Sequence, residues 1–309
     1  MYGRQGRPQP EARPPNWEVL RHGLSGSNPV VMLLGDVEAP TRASYDTHYA
    51  VELGVVLSGR VLRHVQSWRA ELGPGQVWLC GMWEPHGHEV LEPPYQCAVF
   101  EWLPQMLIAP LLEDEPRQDW LAPFAVPPGQ RPQAHGGLRQ RVLATGREVV
   151  GKLALPEPAR GLWLRLLSLE LLLLVHRGWE APAPALPPRP YHLEVLRTAL
   201  DLILARQGMV EVGEAARACG ASRSTLGRAF TQYMGLSFAP FALRYRLDGA
   251  ATRLLQTRDP IKAVALDWGF TDESHLHRHF LRCYGCSPGR YRRQHLAAGR
   301  PSPPPPPRG

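Results

Sequence analysis

The chain lacks any apolar run long enough to cross a bilayer. Its longest, residues 166–175, carries Ser168 and Glu170 and falls well short of the roughly 20 residues a membrane helix needs. The opening segment MYGRQGRPQPEARPP has positive charge but no apolar stretch, so a secretory signal is not expected. Cysteine is scarce: five residues without framework spacing exclude a disulfide-stapled scaffold and fit a reducing cytoplasm. No solenoid-type repeat array is present either. Proline, by contrast, is plentiful at 33 residues, and it clusters at the ends and between segments, where it marks boundaries. With 309 residues, 44% hydrophobic and 20% charged, the chain has room for two domains, each with its own core.

Charge is unevenly placed. Residues 192–295 hold 15 Arg and Lys against 9 Asp and Glu, whereas residues 1–191 hold 18 against 19. A compact basic segment suits a polyanion partner, although a solvated basic face would look the same. Residues 1–16 are rich in Arg, Pro and Gly and read as a disordered arm, as does the Pro-rich tail 296–309. Residues 17–134 read as a mostly-β domain: runs such as VVMLLG, AVELGVVLSGRVLRHV and YQCAVFEWL alternate with turn signals at Gly59, Gly73–Gly75 and Pro93-Pro94. Short strands at that spacing argue for a sandwich or barrel. Residues 135–180 change period and predict two helices. The second, ARGLWLRLLSLELLLLVHRG, is apolar on more than one face and reads as a dimer seam, or alternatively as a buried helix. Residues 181–191 form a Pro-rich linker, and residues 192–295 are helical throughout.

Within that last segment the chain repeats itself. Ala215, Ser224, Leu226, Arg228, Phe230, Gly235 and Ser237 recur 50 residues later as Ala265, Ser274, Leu276, Arg278, Phe280, Gly285 and Ser287. Each copy reads as helix, turn, helix. Ala215 and Ala265 are small where two helices cross, and Gly220 or Gly269 supplies the turn. Ser222 and Asp272 stand at N-cap positions, while Leu226 with Phe230, and Leu276 with Phe280, form a buried stripe. Left free to meet a partner are Arg223, Ser224, Gly227 and Arg228 in the first copy, and Glu273, Ser274, His277 and Arg278 in the second. A helix N-terminus presented from a basic domain suits the major groove, where Arg reads guanine edges or anchors phosphate. Residues 241–256 predict a helix of about 24 Å joining the copies.

The stretches GLSFAPFALRYRLDGAATRLL, IKAVALDWGF and SHLHRHFLRCYGCSPGRYRR resemble the AraC/XylS family of regulators, over about residues 210–293. That resemblance implies a DNA-binding domain with two helix-turn-helix units, usually in a transcription activator. It also implies that Arg223, Ser224, Arg228, Glu273, Ser274, His277 and Arg278 face DNA. Gly227 departs from it, since the family often has a larger polar residue there. Glu273 would repel phosphate, so its role is base reading or orientation.

Family members often carry a cupin-like effector domain, and the β-region has compatible residues. Asp46-x-His48-x3-Glu52-x6-Gly59 resembles the first cupin motif with Asp for its leading His, and Gly75-x5-Gly81-x4-His86 the second with Gly81 for its usual Pro. By this resemblance Asp46, His48, Glu52 and His86 converge inside a small barrel, as metal ligands or, as regulators of this kind generally have it, as metal-free effector contacts. Trp78, Trp83, Tyr95 and Trp102 offer stacking surfaces for a sugar or another small molecule, or else pack the core. Cys283-x-x-Cys286 has no second pair, and His275 and His279 have no third ligand, so neither is read as a metal site.

The expectation is therefore a multidomain protein: an N-terminal mostly-β cupin-like barrel, then helices, then a C-terminal all-α tandem helix-turn-helix domain. It is not expected to be an enzyme or to need a cofactor or metal. Its expected effector site is Asp46, His48, Glu52, His86 and Trp83, for a small molecule such as a carbohydrate. Double-stranded DNA, a second copy of the chain and RNA polymerase are the further expected partners, with a cytoplasmic, nucleoid-associated location and no membrane. Two rivals are a metal-dependent cupin enzyme fused to a DNA-binding domain, and an architectural protein that binds DNA without sequence preference.

Overall fold

A computed structural model describes residues 17–20, 24, 29–108, 120–156, 158–177, 179, 190–206 and 208–297. The arm expected at 1–16 and most of the linker at 181–191 lie outside the described residues, as does the tail beyond Ala297.

The N-terminal part is one seven-stranded sheet: β1 (Trp17–Leu20), β2 (Val30–Val37), β3 (Ser44–His48), β4 (Val51–Val65), β5 (Trp68–Leu72), β6 (Val77–Cys80) and β7 (His86–Trp102). Its strand path runs β1-β3-β7-β4-β5, with β2 paired to β7 and β6 paired to β4. The sheet is open, with β1 and β5 at the two ends of that path, and this corrects the cupin-like barrel expected from the sequence. The reason is physical: alternation fixes which face of a strand is buried but says nothing of closure. Two long strands, β4 with 15 residues and β7 with 17, each serve three partners. They bend at register shifts between Val56 and Val61, where Gly59 takes a left-handed φ of 71°. What the pattern of runs and turns offered as many short strands is mostly one long antiparallel pair, β4 with β7, that changes neighbours along its length.

Both faces of β4 are buried. Val51, Leu53, Val55 and Leu57 join the main core, while Val56, Val61 and Val65 join a smaller one with Trp78, Val90 and Tyr95. A short helix α1 (Ala122–Ala125) is followed by α2 (Gly136–Lys152) and α3 (Ala159–Arg177), which pack on each other and carry Val142, Val149, Leu171 and Val175 into the main core. Gly146 lets α2 approach β4: a Cβ there would lie 2.9 Å from Leu57 and 3.2 Å from Val55. The outer face of α3 leaves Leu162, Leu166 and Leu173 exposed. None of the helices among the described residues is long and apolar enough to cross a membrane.

The C-terminal part is all helical: α4 (Pro190–Arg206), α5 (Val212–Ala218), α6 (Arg223–Met234), α7 (Phe238–Gln256), α8 (Ile261–Asp267), α9 (Glu273–Tyr284) and α10 (Pro288–Ala297). Helix α7 is the expected connector, starting three residues earlier than predicted; at 19 residues it is about 28 Å long. Its N-terminal half, with Phe238, Phe241, Ala242 and Tyr245, belongs to the main core, and its C-terminal half, from Leu247, to a separate ten-residue core.

Candidate nucleic-acid interface and a buried polar cluster

The two copies of the repeat are α5–α6 and α8–α9. Each second helix begins on a side-chain cap: Ser222 accepts from the Thr225 amide at 3.1 Å, and Asp272 from the His275 amide at 2.7 Å. Each ends on a left-handed glycine, Gly235 (φ 66°) or Gly285 (φ 71°), the usual helix stop. Leu226 and Phe230, like Leu276 and Phe280, are fully buried, so the opposite side of each helix is fixed outward. Arg223, Ser224 and Arg228, and Glu273, Ser274, His277 and Arg278, are accordingly all exposed; Gly227 is partly covered.

The turns are not identical, and here the sequence pairing misleads. The Ala221 amide donates to the Ala216 carbonyl at 2.9 Å, and the Phe270 amide to the Ala265 carbonyl at 2.9 Å. Left-handed Gly220 (φ 59°) and Gly269 (φ 70°) stand at the same point of the two turns. Ala265 therefore corresponds to Ala216, and Val264 to Ala215. The offset is 49 up to the turn and 50 beyond it. The second copy has one more residue between its glycine and its cap, Phe270 and Thr271 against Ala221 alone. Gly269 must be glycine for a further reason: a Cβ would lie 2.5 Å from the Met209 amide.

His275, His279, Cys283 and Cys286 have packing roles. His275 Nδ1 lies 3.0 Å from the Thr271 hydroxyl, and the His275 and His279 rings meet edge-on at 4.8 Å. Cys283 and Cys286 pack against the second core.

Of the five residues expected to hold an effector, four meet. Strand β3 alternates, so Asp46 and His48 share a face, and the register sets Asp46 opposite His86 and Glu52 between Cys80 and Glu101. His86 Nε2 lies 2.6 Å from Asp46 Oδ1 and 3.3 Å from Glu52 Oε2; His48 Nε2 lies 3.0 Å from Glu52 Oε2 and 3.5 Å from Glu101 Oε1. Arg63 donates to the other Glu52 oxygen at 3.2 Å, and the Trp78 indole donates to that same oxygen. Trp78 lies directly over Gly54, where any Cβ would collide with the ring. Arg63, Cys80 and Glu101 were missed in the sequence because only the strand register, with its bulges, brings them to this face.

Burial opposes charge here, yet the partners outweigh it. Burial raises the Asp46 and Glu52 carboxyls, but the facing imidazoles bring Asp46 below its ordinary value and Glu52 well below. Burial lowers both imidazoles, but Glu101 and Glu52 lift His48, while Asp46, Cys80 and Glu52 lift His86 well above its ordinary value.

Trp83, the fifth residue, sits apart from these four. Its amide donates to the His48 carbonyl at 2.8 Å, but its ring turns toward α7, meeting Tyr49 at a tilt and Phe241 edge-on at 5.1 and 4.8 Å. Its indole donates to Asp248 Oδ2, and Asp248 Oδ1 accepts from the Tyr284 hydroxyl at 2.6 Å. Trp83 holds a left-handed φ of 51°, a strained conformation for a bulky residue, which these contacts maintain. Asp248 was visible in the sequence as an acid inside the apolar pattern of 243–255 but was not singled out. Trp78, Tyr95 and Trp102 are buried core residues rather than stacking surfaces. Beside His48 lies a cavity of about 20 Å³, lined also by Tyr49, Glu101, Leu204 and Tyr245. A larger cleft of about 540 Å³ runs between the sheet and the end of α6, lined by Trp83, Gln66, Phe124, Arg131, Gln232 and Met234 among others.

Residues 215–294 match the family model described as a helix-turn-helix domain. An uncharacterised helix-turn-helix-type transcriptional regulator of Haemophilus influenzae is 34% identical over 99 residues, 32% of this chain and 33% of that protein. A putative AraC-like transcription regulator of Streptomyces antibioticus is 35% identical over 82 residues, 26% of this chain and 27% of that protein. These matches thus span about a third or less of the relatives' length. Both relatives bear the names of transcriptional regulators, not of enzymes. The solved structure of ToxT from Vibrio cholerae covers 85% of this chain and 97% of its own, with a TM-score of 0.52 at 11% identity, a likeness of fold alone. Taken with the exposed faces and paired caps, residues 215–294 form a helix-turn-helix domain, similar in sequence to that of the AraC-like regulator.

Proposed function

We propose that this protein is a sequence-specific DNA-binding transcription regulator, acting as an activator and controlled by a small-molecule effector. One observation carries the reading: two capped helices in a basic module, each with its N-terminal face exposed. Arg223, Ser224 and Arg228 from α6, and Glu273, Ser274, His277 and Arg278 from α9, are the proposed DNA contacts. Arg228 and Arg278 suit guanine edges or phosphate, and Glu273 suits a cytosine amine. Connector α7 packs on both α6 and α9, which favours a fixed spacing between them and entry into successive major grooves.

Effector control is supported by the packing of the sheet domain on α7. Tyr49 and Trp83 touch Phe241, Tyr49 touches Tyr245, and Asp248 joins Trp83 to Tyr284 of α9. A ligand that shifts Trp83 biases how α7 presents its two units. For an organic effector the cleft beside Trp83 has the needed volume, whereas the cavity beside His48 is too small for a sugar. Leu162, Leu166 and Leu173, exposed along α3, support a homodimer through that helix. Contact with RNA polymerase and residence at the nucleoid follow from the activator reading.

The test is selection of duplexes from a random pool by the purified full-length chain, followed by footprinting. A selected sequence element protected over two adjacent major grooves is expected. Retention governed only by salt, with no enriched sequence, would instead mean an architectural protein. Failure of any metabolite panel to move affinity or footprint would remove the effector.

A further inference from the structure

We propose that the cleft between the sheet and the end of α6 binds one uncharged, largely apolar ring compound. This rests on the effector reading above, and it gives that effector a place and a chemical class.

Volume comes first. The cleft's space of about 540 Å³ falls within the range of small-molecule sites, about 300–1,000 Å³. Its walls are mostly apolar, with Met82, Leu121, Phe124, Val126 and Met234 among them. Met82 and Met234 are both half-buried and stand on opposite bodies, one before β7 and one in the last turn of α6. Thioether side chains adapt to flat rings and make favourable contacts with their edges.

Charge decides the class. Arg131 and Glu84 are the only charged residues among those lining the cleft, and they are closed on each other. Arg131 Nη1 and Nη2 lie 2.7 Å from Glu84 Oε2 and Oε1 respectively, and Nε donates to the Val126 carbonyl at 3.0 Å. The Glu84 oxygens also accept from the Gln66 carboxamide at 3.1 Å and the Gly81 amide at 2.8 Å. An ionised ligand would therefore leave water for a wall with no charge to meet it. A sugar, with hydroxyls all round, would leave most of them unpaired there. The carboxamides of Gln66 and Gln232 suit a single neutral polar group on an otherwise apolar ligand.

The backbone adds a second sign. Trp83 lines the same cleft, at the third position of a turn closed by the Glu84 amide on the Gly81 carbonyl at 3.2 Å. A left-handed φ at that position normally belongs to glycine. Holding tryptophan there is strain of the kind found at ligand clamps, and it ties the cleft to Phe241 and Asp248 of α7. Across the cleft stand Gln232 and Met234 of α6. A bound ring thus joins the sheet domain to a reading helix, at the end opposite its exposed N-terminal face.

The experiment titrates the full-length chain with N-phenyl-1-naphthylamine, whose fluorescence rises in apolar surroundings. A parallel titration uses 1-anilinonaphthalene-8-sulfonate, the same skeleton carrying one negative charge. One neutral probe per chain is expected, bound roughly tenfold more tightly than the sulfonate. Met82→Gln should weaken the neutral probe about threefold. Met234→Lys places a cation at a helix C-terminus, where it is tolerated, and should bring the two affinities roughly tenfold closer. Near-UV circular dichroism confirms that each variant is folded. No stoichiometric uptake of the neutral probe by the folded wild-type chain would overturn the proposal. So would equal affinity for the sulfonate, or affinities unchanged in both folded variants. Because no DNA is present, that failure differs from failure of effector control, which is an operator footprint unmoved while the probe is bound.

Discussion

The two helix-turn-helix copies share caps, stripe and stop, yet they are anchored differently. The first, α5–α6, is built into the main core: Ala215, Leu226 and Phe230 belong to the same apolar cluster as Val55 of the sheet and Leu171 of α3. The second, α8–α9, has its own small core around Leu276 and Phe280. Its hydrogen-bonded tie to the sheet domain runs through Asp248, between Trp83 and Tyr284. One unit is thus part of the body of the protein, and the other hangs from it along α7. Duplicated sequence does not imply duplicated mechanics.

Truncating the matched core phenylalanines should give the largest effects, about 3–5 kcal/mol each, in different places. Phe280→Ala should cost α8–α10 their amide-exchange protection while the sheet keeps its own. Phe230→Ala should lower protection across the sheet domain as well. Equal loss in both variants would show that the copies belong to one cooperative unit after all. Next, Tyr284→Phe removes a part-buried, charge-assisted hydrogen bond to Asp248 and should cost about 1.5–3 kcal/mol in thermal unfolding. Were its effect no larger than that of an exposed substitution, the α9–α7 half of that tie would have no energetic content. Arg228→Ala and Arg278→Ala should each weaken operator binding roughly tenfold, about 1.4 kcal/mol, without loss of folding. Normal binding by either variant would remove that copy's arginine from the interface.

The smallest effect separates the caps. Ser222→Ala should cost about 1 kcal/mol, nearly independent of pH. Asp272 is held below the ordinary aspartate range chiefly by accepting the His275 amide. Its contribution is therefore complete at neutral pH and is lost as pH falls through that depressed value. The stability difference between wild type and Asp272→Ala should thus vanish in acid. A difference that persists there would mean the carboxylate charge is irrelevant to the cap.

Legibility followed the range of the interactions. The C-terminal module was readable because its signals are local: cap, glycine and stripe lie within a few residues, and the copy supplied a second reading. Even so, matching Ala215 with Ala265 concealed the longer second turn, because identity at one offset hides an insertion that only hydrogen bonding reveals. In the N-terminal region, the motif resemblance set Asp46, His48, Glu52 and His86 together, and the strand register does bring them within reach of one another. Closure of the sheet depends on which distant edges meet, and alternation is blind to that, so the barrel was wrong. Arg63 and Glu101 reach the cluster only through the bulged β4 register and the β4–β7 pairing, neither of which has a local signature.

The extra residue in the second turn has a consequence of its own. Two readers with unlike turns and unlike outward residues, Gly227 in one and His277 in the other, cannot be exchanged by a half-rotation. A single chain is therefore intrinsically polar. On the proposed DNA-binding reading, the duplex it grips has a left and a right, and reversing the element would present each half to the wrong reader.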